Sequence, residues 1–206
     1  ALWYNALRIR DEFAESLGLA PPQYAPEASR VLASFVTQFW HEEAGCLFDV
    51  ISEGRKDPAI RPNQLFALCL PYPLLEGAKA AAVFDIVTRH LLTPYGLRSL
   101  SPQDGQFRPV FRGDRLSRDS AYHQGTVWSW LIGPYVFSLF AVRGDSPHTR
   151  EHVRRLLRPL LLHLDQDGLE CVSENFDGLF PTEGKGCFHQ AWSVAELLRI
   201  LRFLGT

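Results

Sequence analysis

The sequence has no methionine and only four cysteines in 206 residues. Cys46, Cys69, Cys171 and Cys187 form no CxxC pair, which removes the spacing signals of structural zinc and of dithiol redox chemistry. A chain of this size builds a core without disulfide staples, so the four are read as reduced core thiols. Long apolar runs are also missing. No window approaches the roughly 18 uninterrupted apolar residues of a membrane span, and ALWYNALRIR lacks the basic-then-apolar layout of a signal peptide. The expectation is a soluble, cytoplasmic protein that engages no membrane. Runs of like charge are absent too: 21 basic and 23 acidic residues leave a formal charge of -2. Without a basic face there is no counterion-release drive toward nucleic acid. No P-loop, GxSxG or dinucleotide fingerprint occurs, and no cofactor is expected.

What is there is apolar and periodic. Hydrophobic residues make up 46% of the chain, ample for one core, and residues 1–206 are read as a single domain. Leu2, Ala6, Ile9, Phe13 and Leu17 recur at spacings of three and four, which predicts an amphipathic helix ending at Gly18. Pro21 and Pro22 then break the chain. Pro26 opens a second helix with Val31, Leu32, Phe35, Phe39 and Trp40 on one face and Gly45 as its stop. Cys46 to Ile51 reads as a weak strand, and Arg61 to Leu70 as a short buried helix closed by Pro71 and Pro73. Gly77 to Leu92 carries Ala80, Val83, Phe84, Val87 and Leu91 at helical period. Residues 95–120 form a polar stretch of Gly, Pro, Ser, Asp and Arg, longer than ordinary connections and a candidate binding loop.

Ala121 to Val142 is apolar on nearly all sides, so a central helix is expected there, kinked at Pro134. Arg150 to Leu164 separates a leucine face from an arginine face and should bend at Pro159. A second polar loop, Asp165 to His189, precedes a last helix, Gln190 to Leu204. The count is seven helices with little strand, and the fold class is all-α. Element spacing is irregular, without a 33–47 residue repeat.

The densest chemistry lies from Asp114 to Trp130, DRLSRDSAYHQGTVWSW. Burying a hydroxyl, imidazole or amide without a partner costs roughly 1–3 kcal/mol. Such a cluster satisfies itself or faces a polar ligand, and the neighbouring rings point to a sugar. His123 and Gln124 match hydroxyls, and Trp128 or Trp130 covers a pyranose face; the alternative for both indoles is core filling. Arg61, Asn63 and Gln64 follow at a helix start, where they either cap loops or bind hydroxyl pairs. Glu174 and Asp177, in SENFDG, read either as turn formers or as a carboxylate that activates water. Asp104, Asp114 and Asp119 are the in-chain partners such a base would need. His148 and His152 have metal-ligand spacing, but the surrounding arginines mark a surface face, and no metal is expected.

ALWYNALR, RPNQLFALCLPYPLL, GLRSLSPQD, the Asp114–Trp130 block, SENFDG and QAWSVAELLR together resemble, in order, the C-terminal glucosidase part of the prokaryotic glycogen debranching (amylo-α-1,6-glucosidase) family. The resemblance implies an (α/α)6 toroid, a glucoamylase-like six-hairpin barrel of which this chain supplies about the C-terminal seven helices. It implies cofactor-free, inverting hydrolysis of α-1,6-linked glucose at the branch points of glycogen or a branched α-glucan oligosaccharide. Glu174 takes the place of the general base, and Arg61, Asn63, Gln64, Asp114, Tyr122, His123, Gln124 and Trp128 that of the substrate-binding residues. The family's acid, in a Trp-Met-Asp segment, falls upstream of Ala1, so the isolated chain is expected to be inactive and to self-associate through exposed half-toroid faces. The alternatives are a non-catalytic or truncated glycan-binding module and another (α/α)6 glycosidase such as a trehalase or glucoamylase relative.

Overall fold

A computed structural model describes residues 1–19, 24–166, 169–181 and 183–205; the break expected at Pro21 and Pro22 lies outside them. Seven α-helices are found among the described residues: α1 Leu2–Ser16, α2 Ala25–Phe39, α3 Gly77–Leu91, α4 Arg115–Ala121, α5 Ile132–Arg143, α6 Pro147–Gln166 and α7 Ala191–Leu204. In α3 and α7 the apolar period and the buried face agree closely, whereas in α1 the expected face is overturned: Leu2, Phe13 and Leu17 are exposed and Tyr4, Leu7, Asp11 and Ala14 are buried instead. In α3, Ala80, Val83, Phe84, Val87 and Leu91 are the buried face, and α7 ends with Gly205 in the left-handed conformation that glycine adopts without strain. Each large apolar side chain so buried contributes about 1.5–3 kcal/mol.

The core centres on α5. Ile132, Tyr135, Val136 and Leu139 are buried, and the helix packs against α3, α6 and α7. Tyr135 reaches Thr88 of α3 at 3.1 Å, and Ser138 donates to the Leu65 carbonyl at 3.4 Å. By contrast α2 buries only Ala28; Val31, Leu32 and Phe35 are half-covered.

Short strands are the main departure from the helical reading. β1 (Trp40–His41) pairs with β2 (Cys46–Leu47), and β3 (Val50–Ser52) pairs with β4 (Arg55–Asp57). β5 (Leu92–Thr93), β6 (Gly96–Arg98), β7 (Val127–Trp128), β8 (Asn175–Phe176) and β9 (Gly184–Lys185) form one antiparallel sheet in that order. Strands of two or three residues are too short to print an alternating pattern on the sequence. Their pairing explains two boundary differences and the absence of an expected kink. The second helix stops at Phe39 because Trp40 turns into β1. The central helix begins at Ile132, since Val127 and Trp128 are extended and Ser129–Leu131 form a 3-10 turn. Pro134 therefore falls in the first turn of α5, where its missing N–H removes no intrahelical bond, and not at a mid-helix kink.

Two further readings are corrected. The Arg61–Leu70 segment is a 3-10 helix over Pro62–Ala67. The first polar stretch is not all loop: it contains β6 and α4, whose N-cap Asp114 accepts from Ser117 N–H at 2.8 Å. All four cysteines are free, but only Cys46 is buried and Cys187 is exposed. Among the described residues no helix is long and apolar enough to cross a membrane.

Candidate functional site

The β3–β4 hairpin, the two 3-10 turns, Trp128 of β7 and the residues just before it form the wall of a cleft of about 600 Å³ lined by Asp49, Asp57, Arg61, Asn63, Asp119, His123, Gln124, Trp128, Trp130 and Trp192, among others. That volume suits a small polar ligand with room to spare, within the roughly 300–1,000 Å³ of typical ligand clefts.

Arg61 organises the wall. It is the N-cap residue of the Pro62–Ala67 turn, in an extended conformation enforced by the following proline. Its guanidinium donates to the carbonyls of Ser99 at 3.1 Å and His123 at 2.6 Å, and to Gln124 Oε1 at 2.5 Å. Its Nε lies 3.5 Å from Asp49 Oδ2. The planar fork thus ties three separate chain segments together. Gln124 passes the link on by donating to Gln106 Oε1 at 3.0 Å. Asn63, exposed in the cleft, donates to Asp49 Oδ1 at 2.8 Å.

Aromatic rings cover the other side. Trp128, in β7, donates its indole N–H to the Tyr122 carbonyl at 3.0 Å. His123 lies flat on Trp128, with centroids 5.4 Å apart and planes 11° apart. Solvent reaches His123, yet this partial burial, together with Arg61 nearby, lowers its pKa from the ordinary 6.5. Trp192, at the start of α7, meets Trp128 edge-on and stacks on Trp130 at 5.5 Å. It remains 48% exposed, leaving an indole face open to a ligand.

Glu174 sits one side chain away. Tyr122 O–H donates to its Oε1 and the Cys187 N–H to its Oε2 at 2.8 Å, while Glu174 N–H bonds the Cys187 carbonyl. Tyr122 packs edge-on against Trp128 at 4.7 Å. Its pKa is pushed up from 10.0 to about 12, by burial first and then by the bond to Glu174. Gly186, at φ +70°, permits this arrangement. A side chain there would run into Glu174 Oε2 and come within 2.9 Å of Asn175 Nδ2. Asn175 lies opposite Trp128 in the sheet register, fully buried, with neither amide atom hydrogen-bonded.

The residues singled out from sequence therefore divide. Arg61, Asn63, His123, Gln124 and Trp128 line the cleft together. Tyr122 and Glu174 are joined to each other beside it. Gln64 is turned inward, accepting from Leu47 N–H at 3.3 Å and donating to the Arg61 carbonyl at 3.2 Å. Asp114 caps α4 away from the lining. Asp177, in the Glu174 loop, pairs with Lys185 and accepts from Phe111 N–H at 2.9 Å, bracing the two polar segments against each other. Asp104 is a turn former, accepting from Gln106 N–H, and Asp119 reaches the cleft from α4 while pairing with exposed Arg115. Sequence reasoning passed over Asp49, Asp57 and Trp192. The first two lie beside a weak strand signal, and Trp192 reads as one more apolar residue of the last helix. No cluster of three or more His, Cys, Asp or Glu positioned for a metal is found among the described residues.

A family model described as Amylo-alpha-1,6-glucosidase matches residues 1–199. The Glycogen debranching enzyme of Saccharomyces cerevisiae (strain ATCC 204508 / S288c) is 31% identical over 100 residues, covering 45% of this chain. The aligned stretch spans 6% of the length of that curated relative.

Proposed function

The chain belongs to the amylo-α-1,6-glucosidase family, and from that premise we propose that it forms the C-terminal portion of an (α/α)6 toroid that hydrolyses α-1,6-linked glucose at branch points of glycogen or a similar α-glucan. Glu174 acts as the general base. The observation that carries this reading is its hydrogen bonding: one donor, Tyr122 O–H or Cys187 N–H, engages each carboxylate oxygen. That leaves the carboxylate an acceptor, the form able to take a proton from water. A base that works through water need not touch the sugar, which suits its place one side chain back from the cleft and an inverting reaction.

The cleft supplies the rest. His123, Gln124, Asn63 and Trp128 face the glucosyl unit, and Arg61 fixes the segments that carry them. The acids of the cleft are engaged within the chain: Asp49 by Asn63 and Arg61, Asp57 by the Ala59 N–H at 2.9 Å, and Asp119 by Arg115. Following the family resemblance, we assign the proton donor to a carboxylic acid outside residues 1–206. The half-covered stripe of α2 and the exposed Leu2, Trp3 and Phe13 of α1 fit a ring whose remaining helices pack there. Four free cysteines fit a cytoplasmic setting.

The test is glucose release from a glucan bearing single α-1,6-linked glucose stubs, measured on the full gene product. Glu174→Gln is expected to lower kcat by about 10²–10⁴-fold, the usual contribution of a general base, with KM nearly unchanged. NMR should show β-glucose as the first product, since inversion converts the α-linkage. Retained turnover in the variant, or an α-anomer as first product, removes Glu174 from this role. Binding of maltooligosaccharides without hydrolysis would favour a glycan-binding module.

A further inference from the structure

Asp49 has no part in the reading so far beyond its bonds to Arg61 and Asn63, yet its surroundings are not those of a purely structural acid. Its side chain is 8% exposed, and its ionic partner, Arg61 Nε, stands at 3.5 Å. A nearly buried ion pair with such loose geometry does little to repay the desolvation of its charges. Arg61 spends its other bonds on two carbonyls and Gln124. An ionised carboxylate offers about four lone-pair positions. Asn63 takes one at 2.8 Å on Oδ1, so the carboxylate keeps acceptor capacity where it borders the cleft.

Its position is also built. The β3–β4 hairpin closes on Asp49, whose N–H bonds the Asp57 carbonyl at 2.9 Å, and the Asn63 and Arg61 side chains then hold the carboxylate against the cleft from the next turn of chain. Asp49, its donors Arg61 and Asn63, and the His123–Trp128 stack all line the same cleft. A carboxylate held in this way, with unused lone pairs beside an aromatic face, is suited to accept hydrogen bonds from sugar hydroxyls.

We propose that Asp49 is a specificity-determining residue of the cleft, accepting hydrogen bonds from one hydroxyl, or an adjacent pair, of the bound glucosyl unit. This rests on the glucosidase reading above. Because a site with a charged acceptor is left unpaired by a ligand that lacks the matching hydroxyl, it discriminates against that ligand strongly.

The experiment is a ligand-observed NMR titration of the full gene product with D-glucose and its 2-, 3-, 4- and 6-deoxy derivatives. Wild type is expected to bind at least one derivative about tenfold or more weakly than glucose, the usual effect of one hydrogen bond to a charged group. Asp49→Asn is expected to bind glucose weaker by a similar factor and no longer to distinguish that derivative from glucose. Asp49→Glu keeps the charge opposite Arg61, and with it the fold, but displaces the carboxylate by a methylene; it should lose the same discrimination. A merely structural acid gives a different result: both variants weaken all five sugars alike and keep the wild-type pattern, which overturns the assignment. Wild-type protein that binds none of the five sugars overturns the glucosidase reading as well.

Discussion

The helical core around α5 and the polar wall of the cleft are held together by different means. In the core, Val83, Phe84, Val87 and Leu91 of α3 are fully buried against apolar neighbours, and the binding is area and packing, without direction. In the wall, position comes from directed bonds to main chain. Arg61 bonds two carbonyls, Trp128 bonds the Tyr122 carbonyl, Asp177 bonds the Phe111 N–H, and Glu174 bonds the Cys187 N–H. A core of the first kind tolerates rearrangement before it loses its site. A wall of the second kind fixes each polar group against a backbone atom, so small changes there should disturb the site before they threaten the fold.

The largest expected effect breaks the core. Phe84, fully buried and 4.9 Å from the Tyr135 ring, should cost about 3–5 kcal/mol of unfolding free energy when changed to alanine. Urea denaturation measures this. Glu174→Gln is expected to leave the same midpoint nearly unmoved. A large loss of stability in that variant would erase the contrast.

Arg61→Lys comes next. An ammonium cannot span the Ser99 and His123 carbonyls together with Gln124, and the groups left unpaired should cost roughly 2–3 kcal/mol. The distinguishing measurement is ligand binding. The change should weaken sugar binding in the cleft while leaving Tyr122–Glu174 bonded, whereas a cost below about 0.5 kcal/mol, within the range of ordinary surface substitutions, would show that the wall does not depend on this clamp.

The same contrast explains what was legible in the sequence. Helices α3, α6 and α7 announce themselves through apolar residues three and four apart, α1 was placed by the same period but with its exposed face taken for the buried one, and the site blocks stood out because Tyr, His, Gln and Glu beside Trp are costly to bury. The five-stranded sheet was not legible, because each of its pairings rests on two residues per strand and the one between Val127 and Phe176 joins segments 49 positions apart. Asp49 was missed for the same reason: nothing local marks an acid as cleft-facing when a distant Arg61 and Asn63 orient it. Asp114, read as a sugar ligand, instead shows the Asp-x-x-Ser spacing of a helix cap, a signal present in the sequence and outweighed there by its neighbours.

Glycines give a finer comparison. Gly18 and Gly186 both have positive φ, +63° and +70°, but a side chain at Gly18 meets nothing within 4 Å, whereas at Gly186 it meets Glu174 and Asn175. Alanine at Gly18 should cost only the backbone strain, about 1 kcal/mol. Alanine at Gly186 should cost about 1–2 kcal/mol and displace the Glu174 carboxylate, so that glucose release falls while Gly18→Ala leaves it intact. Equal activity in the two variants would mean that the Glu174 carboxylate can shift without consequence.

The smallest effect is in pH, and its sign separates two faces of the wall. His123 has a pKa lowered from 6.5, chiefly by burial and then by Arg61. Between its folded value and 6.5 the unfolded chain binds a proton that the folded chain does not. Stability therefore rises with pH across that window, is fully present above 6.5, and declines on acidification. His90 and His152 are lowered in the same direction, so His123→Asn should shallow the acid-side slope without abolishing it. Tyr122 acts at the other end. Its pKa is raised from 10.0 to about 12, by burial and then by Glu174. The unfolded phenol ionises first, and stability is lost as pH rises from 10 toward 12. Tyr135, Tyr72 and Cys69 are raised in the same direction, so Tyr122→Phe should make the alkaline limb shallower without abolishing it and leave the acid limb alone, which thermal unfolding across pH measures. If His123→Asn moves the alkaline limb instead, the Tyr122 and His123 rings, in edge-on contact at 4.8 Å, titrate as a coupled pair.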